Sequence, residues 1–237
     1  MRRHMFRWSP ARIIAGAFGS ISFIGSILLY LPWGHMPGQS ITYVDALYTA
    51  VSALCVTGLS IVDTAAVFNP FGQAILAVLI QVGGLGVSTM GAGVLLMLGR
   101  KVGIRQRNLI HDTMNLDSYS GVVRFLRTLF ATTVFIEIIG AFLGYFVFRR
   151  DYEMMESIGL SIFHSISSFN NAGLTILTKE RSMEMYAEDP FMLILTTALV
   201  FVGGLGFIVI RECWVNRFRW RKLSMHSVSY THLRAHE

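Results

Sequence analysis

The chain has 237 residues, of which 53% are hydrophobic and only 14% are charged, and its mean hydropathy is +0.54. Because about a quarter of an ordinary soluble domain is charged, this composition excludes that class and indicates a protein of the lipid bilayer. A net charge of +6 could suggest a nucleic-acid partner, but in a membrane protein the positions of the charges matter more than their sum. We therefore predict no nucleic-acid partner.

Four apolar stretches are long enough to cross about 30 Å of hydrocarbon as helices. They cover residues 13–31, 71–98, 128–148 and 191–210. The basic start, residues 1–12, enters the first stretch without a small-residue cleavage site, so we expect a retained span and not a signal peptide. Two further segments, 43–61 and 157–177, are only partly apolar, and each lies between two full spans.

Lysine and arginine are concentrated before the first span, between the second and third, and after the fourth, where 15 of the 20 lie. The positive-inside rule therefore places the N-terminus (1–12), the middle loop (99–127) and the tail (214–237) in the cytoplasm of a multi-pass plasma-membrane protein. This holds only if each partly apolar segment is re-entrant from the outer face. A re-entrant segment carries irregular backbone inside the membrane, which is tolerated only where protein surrounds it or where it lines a watery cavity. We therefore expect a pore or a binding cavity.

The sequence contains an internal repeat. Ser52-Ala-Leu-Cys-Val-Thr-Gly-Leu59 aligns with Ser167-Ser-Phe-Asn-Asn-Ala-Gly-Leu174, and Val82-Gly-Gly-Leu-Gly86 recurs identically from Val202 to Gly206. The repeats occupy residues 13–98 and 128–213, and each has the order span, re-entrant segment, span. Because each copy starts and ends inside, the repeat is parallel, which favours an arrangement around an axis normal to the membrane.

The re-entrant segments have the composition of ion-selective backbone. Backbone carbonyls replace the hydration shell of an ion when a short extended stretch follows a half-helix, and glycine permits positive φ and close approach. We predict half-helices at 43–54 and 156–168, whose C-terminal ends face a cation. The predicted ion-facing residues are Cys55, Val56, Thr57 and Gly58 in the first copy and Asn170, Asn171, Ala172 and Gly173 in the second. The alternative for either copy alone is a simple tight turn.

Three polar residues of the spans and half-helices are further candidates. Glu137 lies near the middle of the third span, where it is either functional or a buried carboxyl that supports the bundle. Gln81 precedes a glycine-rich stretch and predicts interhelical hydrogen bonding with close packing. His164 lies in the second half-helix as a pH sensor or a packing group. Cys55 and Cys213 have no Cys or His partner at metal-ligand spacing, so neither a disulfide framework nor a zinc site is predicted.

These motifs, from about Ser9 to Trp214, closely resemble the first two repeats of the Trk/Ktr/HKT superfamily of potassium transporters, in particular its KtrB-like branch. The resemblance implies an all-α integral membrane fold of four span–pore-helix–span repeats around one pathway for K⁺, or Na⁺, with one filter glycine per repeat. It associates Gly58 with potassium selectivity, because some sodium-carrying plant relatives have serine there. It also implies a homodimer on a ring of nucleotide-binding RCK subunits, contact with membrane lipids, and no cofactor or enzymatic activity in this chain.

Only two of those four repeats are present, so the expectation is an N-terminal half of such a transporter. The last 11 residues of the tail, from Ser227, have no apolar period, do not resemble the family and are expected to be non-native. Two alternatives stay open at this point. One is an inert fragment, and the other is an intramembrane hydrolase with Ser161 or Ser165 beside His164.

Overall fold

The structure is a computed structural model that describes residues 10–87, 89–92, 122–177 and 183–205. This part of the chain is helical, and it contains no β-strand beyond one isolated bridge between His35 and Phe68. The all-α prediction is therefore confirmed for the described ranges. The helices are α1 (Pro10–Tyr30), α2 (Tyr43–Cys55), α3 (Thr64–Val67), α4 (Pro70–Leu85), α5 (Val122–Phe148), α6 (Met154–Phe169) and α7 (Pro190–Gly204), with 3-10 turns at Pro32–Gly34 and Met183–Tyr186.

Within the described ranges, two helices are long and apolar enough to cross a bilayer, at Ala11–Tyr30 and Val123–Phe148. They correspond to the first and third predicted spans. α4 and α7 are shorter apolar helices of 16 and 15 residues. The remainder of the predicted fourth span lies outside the described residues, as do the basic middle loop up to residue 121 and the whole tail.

The second predicted span differs from a single helix. α4 ends at Leu85, and Gly86 takes a φ of 82° and a ψ of 135°, a conformation that only glycine adopts readily. The backbone is helical again at residue 87 and from 89 to 92. The expectation of uninterrupted helix from 71 to 98 is therefore wrong at Gly86. The apolar composition predicted the span, but hydropathy carries no information about where a glycine interrupts its hydrogen bonds.

The two halves of the chain begin their last helices in the same way. Asn69 accepts hydrogen bonds from the first free amides of α4, and Asp189 does the same for α7. Proline follows each cap as the first helical residue, where its missing N–H costs nothing. α2 has a capping box between Thr42 and Asp45. These local signals fix where the shorter helices start.

α2 and α6 each lie between the two other main helices of their own half. α2 packs against α1 and α4, α6 packs against α5 and α7, and α4 also contacts α6, so the two halves share one interface. The buried apolar cluster includes Leu76 and Ile80 of α4 together with Leu160 and Phe163 of α6. Large apolar side chains on α5 are exposed, as expected for a face against lipid; they include Phe135, Ile138, Phe142 and Phe146.

Candidate functional site

Two short loops that follow α2 and α6 are built alike. We call residues 56–59 loop 1 and residues 170–174 loop 2. In loop 1, Val56 and Gly58 have positive φ, 57° and 74°, and in loop 2 the equivalent Asn171 and Gly173 have 58° and 69°. Positive φ is rare for a residue with a side chain, so its recurrence at Val56 and Asn171 indicates one specified backbone path.

The hydrogen bonds of the loops also recur. The hydroxyl of Ser52, in the last turn of α2, donates to the carbonyl of Leu59 at 2.5 Å, and Ser167 of α6 donates to the carbonyl of Leu174 at 2.6 Å. The carbonyl of the same serine accepts a backbone hydrogen bond from the middle of the loop, from Thr57 at 3.1 Å in loop 1 and from Ala172 at 2.8 Å in loop 2. One serine therefore holds each loop at its middle and at its last residue, and we call this pair of hydrogen bonds a serine clamp.

The loops meet at their glycines. A Cβ atom built on Gly58 would lie 2.7 Å from the carbonyl oxygen of Ala172, and one built on Gly173 would lie 3.6 Å from the Cα of Gly58. A side chain at position 58 is thus opposed by both the positive φ and the carbonyl of loop 2. The structure brings Gly58 and Gly173, which the sequence placed in separate repeats, into direct proximity.

Cys55 is the one predicted loop residue that lies in a helix. It is the last residue of α2, so the irregular backbone starts at Val56, which caps the helix in the left-handed conformation. Its counterpart Asn170 caps α6. Cys55 is a free and exposed cysteine, whereas Asn170 is buried. The two copies therefore share backbone geometry but differ in the side chain at the helix end.

Glycines of α4 and α7 allow close contact with the ends of the shorter helices. A Cβ atom on Gly83 would overlap the carbonyl oxygen of Leu54 in α2, and one on Gly203 would overlap the carbonyl oxygen of Phe169 in α6. The repeated Val-Gly-Gly-Leu-Gly sequence thus has a packing cause. It lets α4 lie directly against the C-terminal end of α2, and α7 against the C-terminal end of α6.

Asn170, a predicted filter residue at the start of loop 2, contacts two of the predicted polar residues, Gln81 of α4 and Glu137 of α5. Asn170 Nδ2 donates to Gln81 Oε1 at 3.0 Å and to Glu137 Oε1 at 3.3 Å. Asn170 and Glu137 are 8% and 9% exposed, so these contacts are shielded from solvent.

His164 lies in α6, away from Gln81, Glu137 and Asn170, and faces α7. Its Nε2 is 3.0 Å from the hydroxyl of Thr196 in α7 and 3.3 Å from that of Ser168. The serines proposed for a hydrolase are engaged elsewhere, since Ser161 donates to the Ser157 carbonyl and Ser165 to the Glu137 carbonyl. His164 therefore packs helix against helix, and neither serine forms the nucleophile–base pair of the hydrolase alternative with it.

The sequence did not predict two features of the site. One is the pair of serine clamps, for which the alignment of Ser52 with Ser167 in the repeat is the sequence signal. The other is a hydrogen bond from the Thr64 hydroxyl to the Thr175 carbonyl, which joins the halves beyond the loops and has no local sequence signal. The described residues contain no cluster of three or more His, Cys, Asp or Glu that could hold a metal ion.

The chain is similar to curated proteins that are named for potassium uptake. The chain is 35% identical over 221 residues to Ktr system potassium uptake protein B of Bacillus subtilis, covering 93% of this chain and 48% of that protein. Identity is also 35% with potassium/sodium uptake protein NtpJ of Enterococcus hirae, at the same coverage, and 36% with Ktr system potassium uptake protein B of Vibrio alginolyticus, of which 47% is covered. The chain thus spans about half the length of the curated relatives it matches. The family model for TrkH, a cation transport protein, matches residues 10–233, so the chain belongs to the TrkH cation transport protein family.

Proposed function

We propose that this chain supplies two of the backbone filter segments of a potassium-uptake pore. The observation that carries the proposal is the meeting of loops 1 and 2 at Gly58 and Gly173, with matched φ angles and matched serine clamps. Two loops of the same backbone path that approach each other at glycine have the form required for carbonyl coordination of a desolvated cation. Relatives named for potassium and for potassium/sodium uptake support K⁺, with Na⁺ as the second ion.

In this proposal α1, α2 and α4 form one span–pore-helix–span unit, and α5, α6 and α7 form the second. α2 and α6 are the pore helices. Their C-terminal ends, which carry a partial negative charge, point into loops 1 and 2 and favour a cation by about 0.3–1 kcal/mol each. The ion-facing carbonyls belong to the loop residues named from the sequence, with Gly58 and Gly173 at the closest approach.

The assembly we propose follows from the relatives' names and from the charge pattern. A Ktr system has more than one component by its name, which supports a cytoplasmic RCK-type nucleotide-binding partner and a homodimer of the complete pore subunit. Anionic lipids would contact the basic cytoplasmic segments. The N-terminus lies inside the cell in this arrangement.

Potassium uptake in a transport-deficient bacterial strain tests the function. Two proteins are compared: the 237-residue chain, and a full-length hybrid in which residues 10–226, without the tail from Ser227, replace the matching part of the Bacillus subtilis relative. We expect the hybrid to restore growth at low potassium. A well-expressed, membrane-inserted hybrid that takes up no K⁺ would contradict the proposal. Uptake by the 237-residue chain alone would show that it forms a pore with no added segment.

The filter assignment is tested by Gly58→Ser in the same hybrid. The new side chain meets the Ala172 carbonyl at a position of positive φ, so it displaces a carbonyl that we place at the ion. One such contact is worth about 1.5–3 kcal/mol, and about 1.4 kcal/mol is a factor of ten. We expect the K⁺/Na⁺ uptake ratio to fall by about tenfold or more, while Gly159→Ala, where a Cβ has open space, leaves it unchanged. An unchanged ratio in Gly58→Ser would contradict the assignment.

A further inference from the structure

The side chain of Asn170 connects loop 2 to the other half of the chain. Its Nδ2 faces three acceptors: Gln81 Oε1 at 3.0 Å, Glu137 Oε1 at 3.3 Å and the Ile166 carbonyl at 2.9 Å. These contacts fix the orientation of the amide, because turning it over would set its oxygen against the same three acceptors. Gln81 belongs to α4 of the first half, so Asn170 ties the start of loop 2 to the helix that packs under loop 1.

Glycine at position 84 makes room for this side chain. A Cβ atom on Gly84 would overlap the Oδ1 of Asn170, so any larger residue would push the amide away from Gln81 and Glu137. Oδ1 itself is buried and has no hydrogen-bond partner among the described residues. A buried acceptor without a partner destabilises the fold. Such a group is kept where its position matters more than its contribution to stability.

The arrangement exists in only one of the two copies. The counterpart of Asn170 in the first half is Cys55, which is exposed, and the residue equivalent to Gln81 in the second half is Phe201, which is also exposed. General requirements of the repeated fold would act on both halves equally. The asymmetry therefore points to a task specific to loop 2, and no basic side chain of the described residues forms an ion pair with Glu137 to account for the cluster.

We propose that Asn170, Gln81 and Glu137 form a positioning lock, with Gly84 as its seat, that sets the distance between loops 1 and 2 and thereby the ion preference of the pore. This inference rests on the proposed function. Loop 2 leaves Asn170 and reaches Ala172, whose carbonyl faces Gly58, within two residues. A displacement of Asn170 is therefore transmitted to that carbonyl through a short and hydrogen-bonded stretch. The side chains of the lock act through the backbone carbonyls of the loops and do not themselves contact the ion.

The test uses the full-length hybrid and measures initial K⁺ and Na⁺ uptake separately. Gln81→Leu keeps the volume of the side chain and removes the acceptor, and Glu137→Leu does the same at the carboxylate. Glu137→Gln keeps an acceptor oxygen and removes the charge. Gly84→Ala occupies the seat, and its matched control is Gly91→Ala farther along the same predicted span, where a Cβ meets nothing within 4 Å.

We expect the K⁺/Na⁺ uptake ratio to fall about tenfold in Gln81→Leu, Glu137→Leu and Gly84→Ala, and to stay within about threefold of wild type in Glu137→Gln and Gly91→Ala. Tenfold corresponds to about 1.4 kcal/mol. Gln81→Leu combined with Asn170→Ala should be no worse than the more affected single variant, because both remove the same contact.

Three results would overturn the inference. An unchanged ratio in Gln81→Leu and Glu137→Leu would show that the loops do not depend on the lock. Equal loss of uptake of both ions, in step with the amount of protein in the membrane, would show a purely structural role. Loss of selectivity in Glu137→Gln would mean that the charge itself acts on the ion. A wild-type hybrid that transports no K⁺ would instead contradict the proposed function.

Discussion

The serine clamps are the smallest unit that distinguishes loops 1 and 2 from ordinary turns. Ser167 Oγ donates to the Leu174 carbonyl across seven residues, and both Ser167 and Leu174 are buried. Ser167→Ala would leave that carbonyl without its partner, at a cost of about 1–3 kcal/mol. We expect lower K⁺ uptake and a lower K⁺/Na⁺ ratio in the hybrid, measured at equal amounts of membrane protein.

A serine outside the site provides the control. Ser20 donates to the Gly16 carbonyl at an exposed position of α1, so Ser20→Ala should leave uptake unchanged. If Ser167→Ala and Ser20→Ala behaved alike, the clamp would have no part in holding loop 2.

At the scale of residues, the sequence predicted which positions form the loops but not what each side chain touches. The repeat selected Gly58 and Gly173 because aligned copies of a short pattern are visible in one dimension. Gln81 and Glu137 were selected separately, as polar residues of apolar spans, and Asn170 was selected as a filter residue. Their mutual contact depends on how α4 lies against loop 2, a long-range packing result that no local pattern encodes. The ion contact of the loop residues remains a prediction.

At the scale of elements, the second predicted span, 71–98, differs most from its expected form, because its helix is interrupted at Gly86. At a φ of 82° an L-residue is strained by about 1–3 kcal/mol, so Gly86→Ala should destabilise the protein. Gly91→Ala, in a helical stretch with open space, should instead be neutral or stabilising by up to about 1 kcal/mol. Thermal unfolding of the detergent-solubilised chain measures both. Equal melting temperatures of Gly86→Ala and Gly91→Ala would contradict an interrupted helix.

The start of α7 depends on a carboxylate outside the apolar segment. The backbone N–H of Met192, with that of Phe191 and the guanidinium of Arg150 2.7 Å away, holds the pKa of Asp189 below its ordinary value, against the opposing effect of desolvation. A lowered pKa in the folded state means that the stabilisation is fully present above the ordinary pKa of about 3.9 and is lost as the pH falls through the folded value.

We therefore expect the melting-temperature advantage of the wild type over Asp189→Asn to hold from neutral pH to about pH 4 and to shrink below it. Asparagine still accepts the two backbone hydrogen bonds, so this variant isolates the charge. Arg150→Gln separates the ion pair from the cap, because it removes only the guanidinium. A pH-independent difference between wild type and Asp189→Asn would contradict the role of ionisation.

Elements that have local start signals were predictable, and those that depend on distant contacts were not. Proline after Asn69 or Asp189 marks the start of α4 and α7 in the sequence itself. The end of α2 was misplaced by one residue because Val56, a β-branched residue that disfavours positive φ, takes the left-handed cap there. Its conformation follows from the clamp by Ser52 and from the close packing of Gly83 on α2.

At the scale of the whole molecule, the halves are joined on both sides of the loops. Gln81 and Asn170 connect them at the helix ends, and the Thr64 hydroxyl bonds to the Thr175 carbonyl beyond loop 2. Between these two links Gly58 and Gly173 are in contact range. These contacts explain how two segments that lie more than 100 residues apart in sequence are held beside each other.

The positions of the basic residues predict the orientation of the chain in the membrane. The lengths of α2 and α6 support that prediction. α2 has 13 residues and α6 has 16, so at about 1.5 Å per residue they reach roughly 20 and 24 Å, short of the 30 Å of hydrocarbon. If both enter and leave on the outer face, Gln39 before α2 and Glu153 before α6 lie on the same side of the membrane. If α2 crossed instead, the direction of every later span would reverse and Glu153 would lie inside.

Cysteine labelling in intact cells separates these topologies. Gln39, Glu153 and Ala11 are exposed, so each is changed singly to cysteine in a background with Cys55→Ala and Cys213→Ser. We expect a membrane-impermeant maleimide to label Gln39→Cys and Glu153→Cys from outside, and Ala11→Cys only after permeabilisation, because the basic N-terminus stays in the cytoplasm. Labelling of Gln39→Cys but not Glu153→Cys in intact cells would show that α2 crosses the membrane. It would also remove the shared outer face on which a two-loop filter depends.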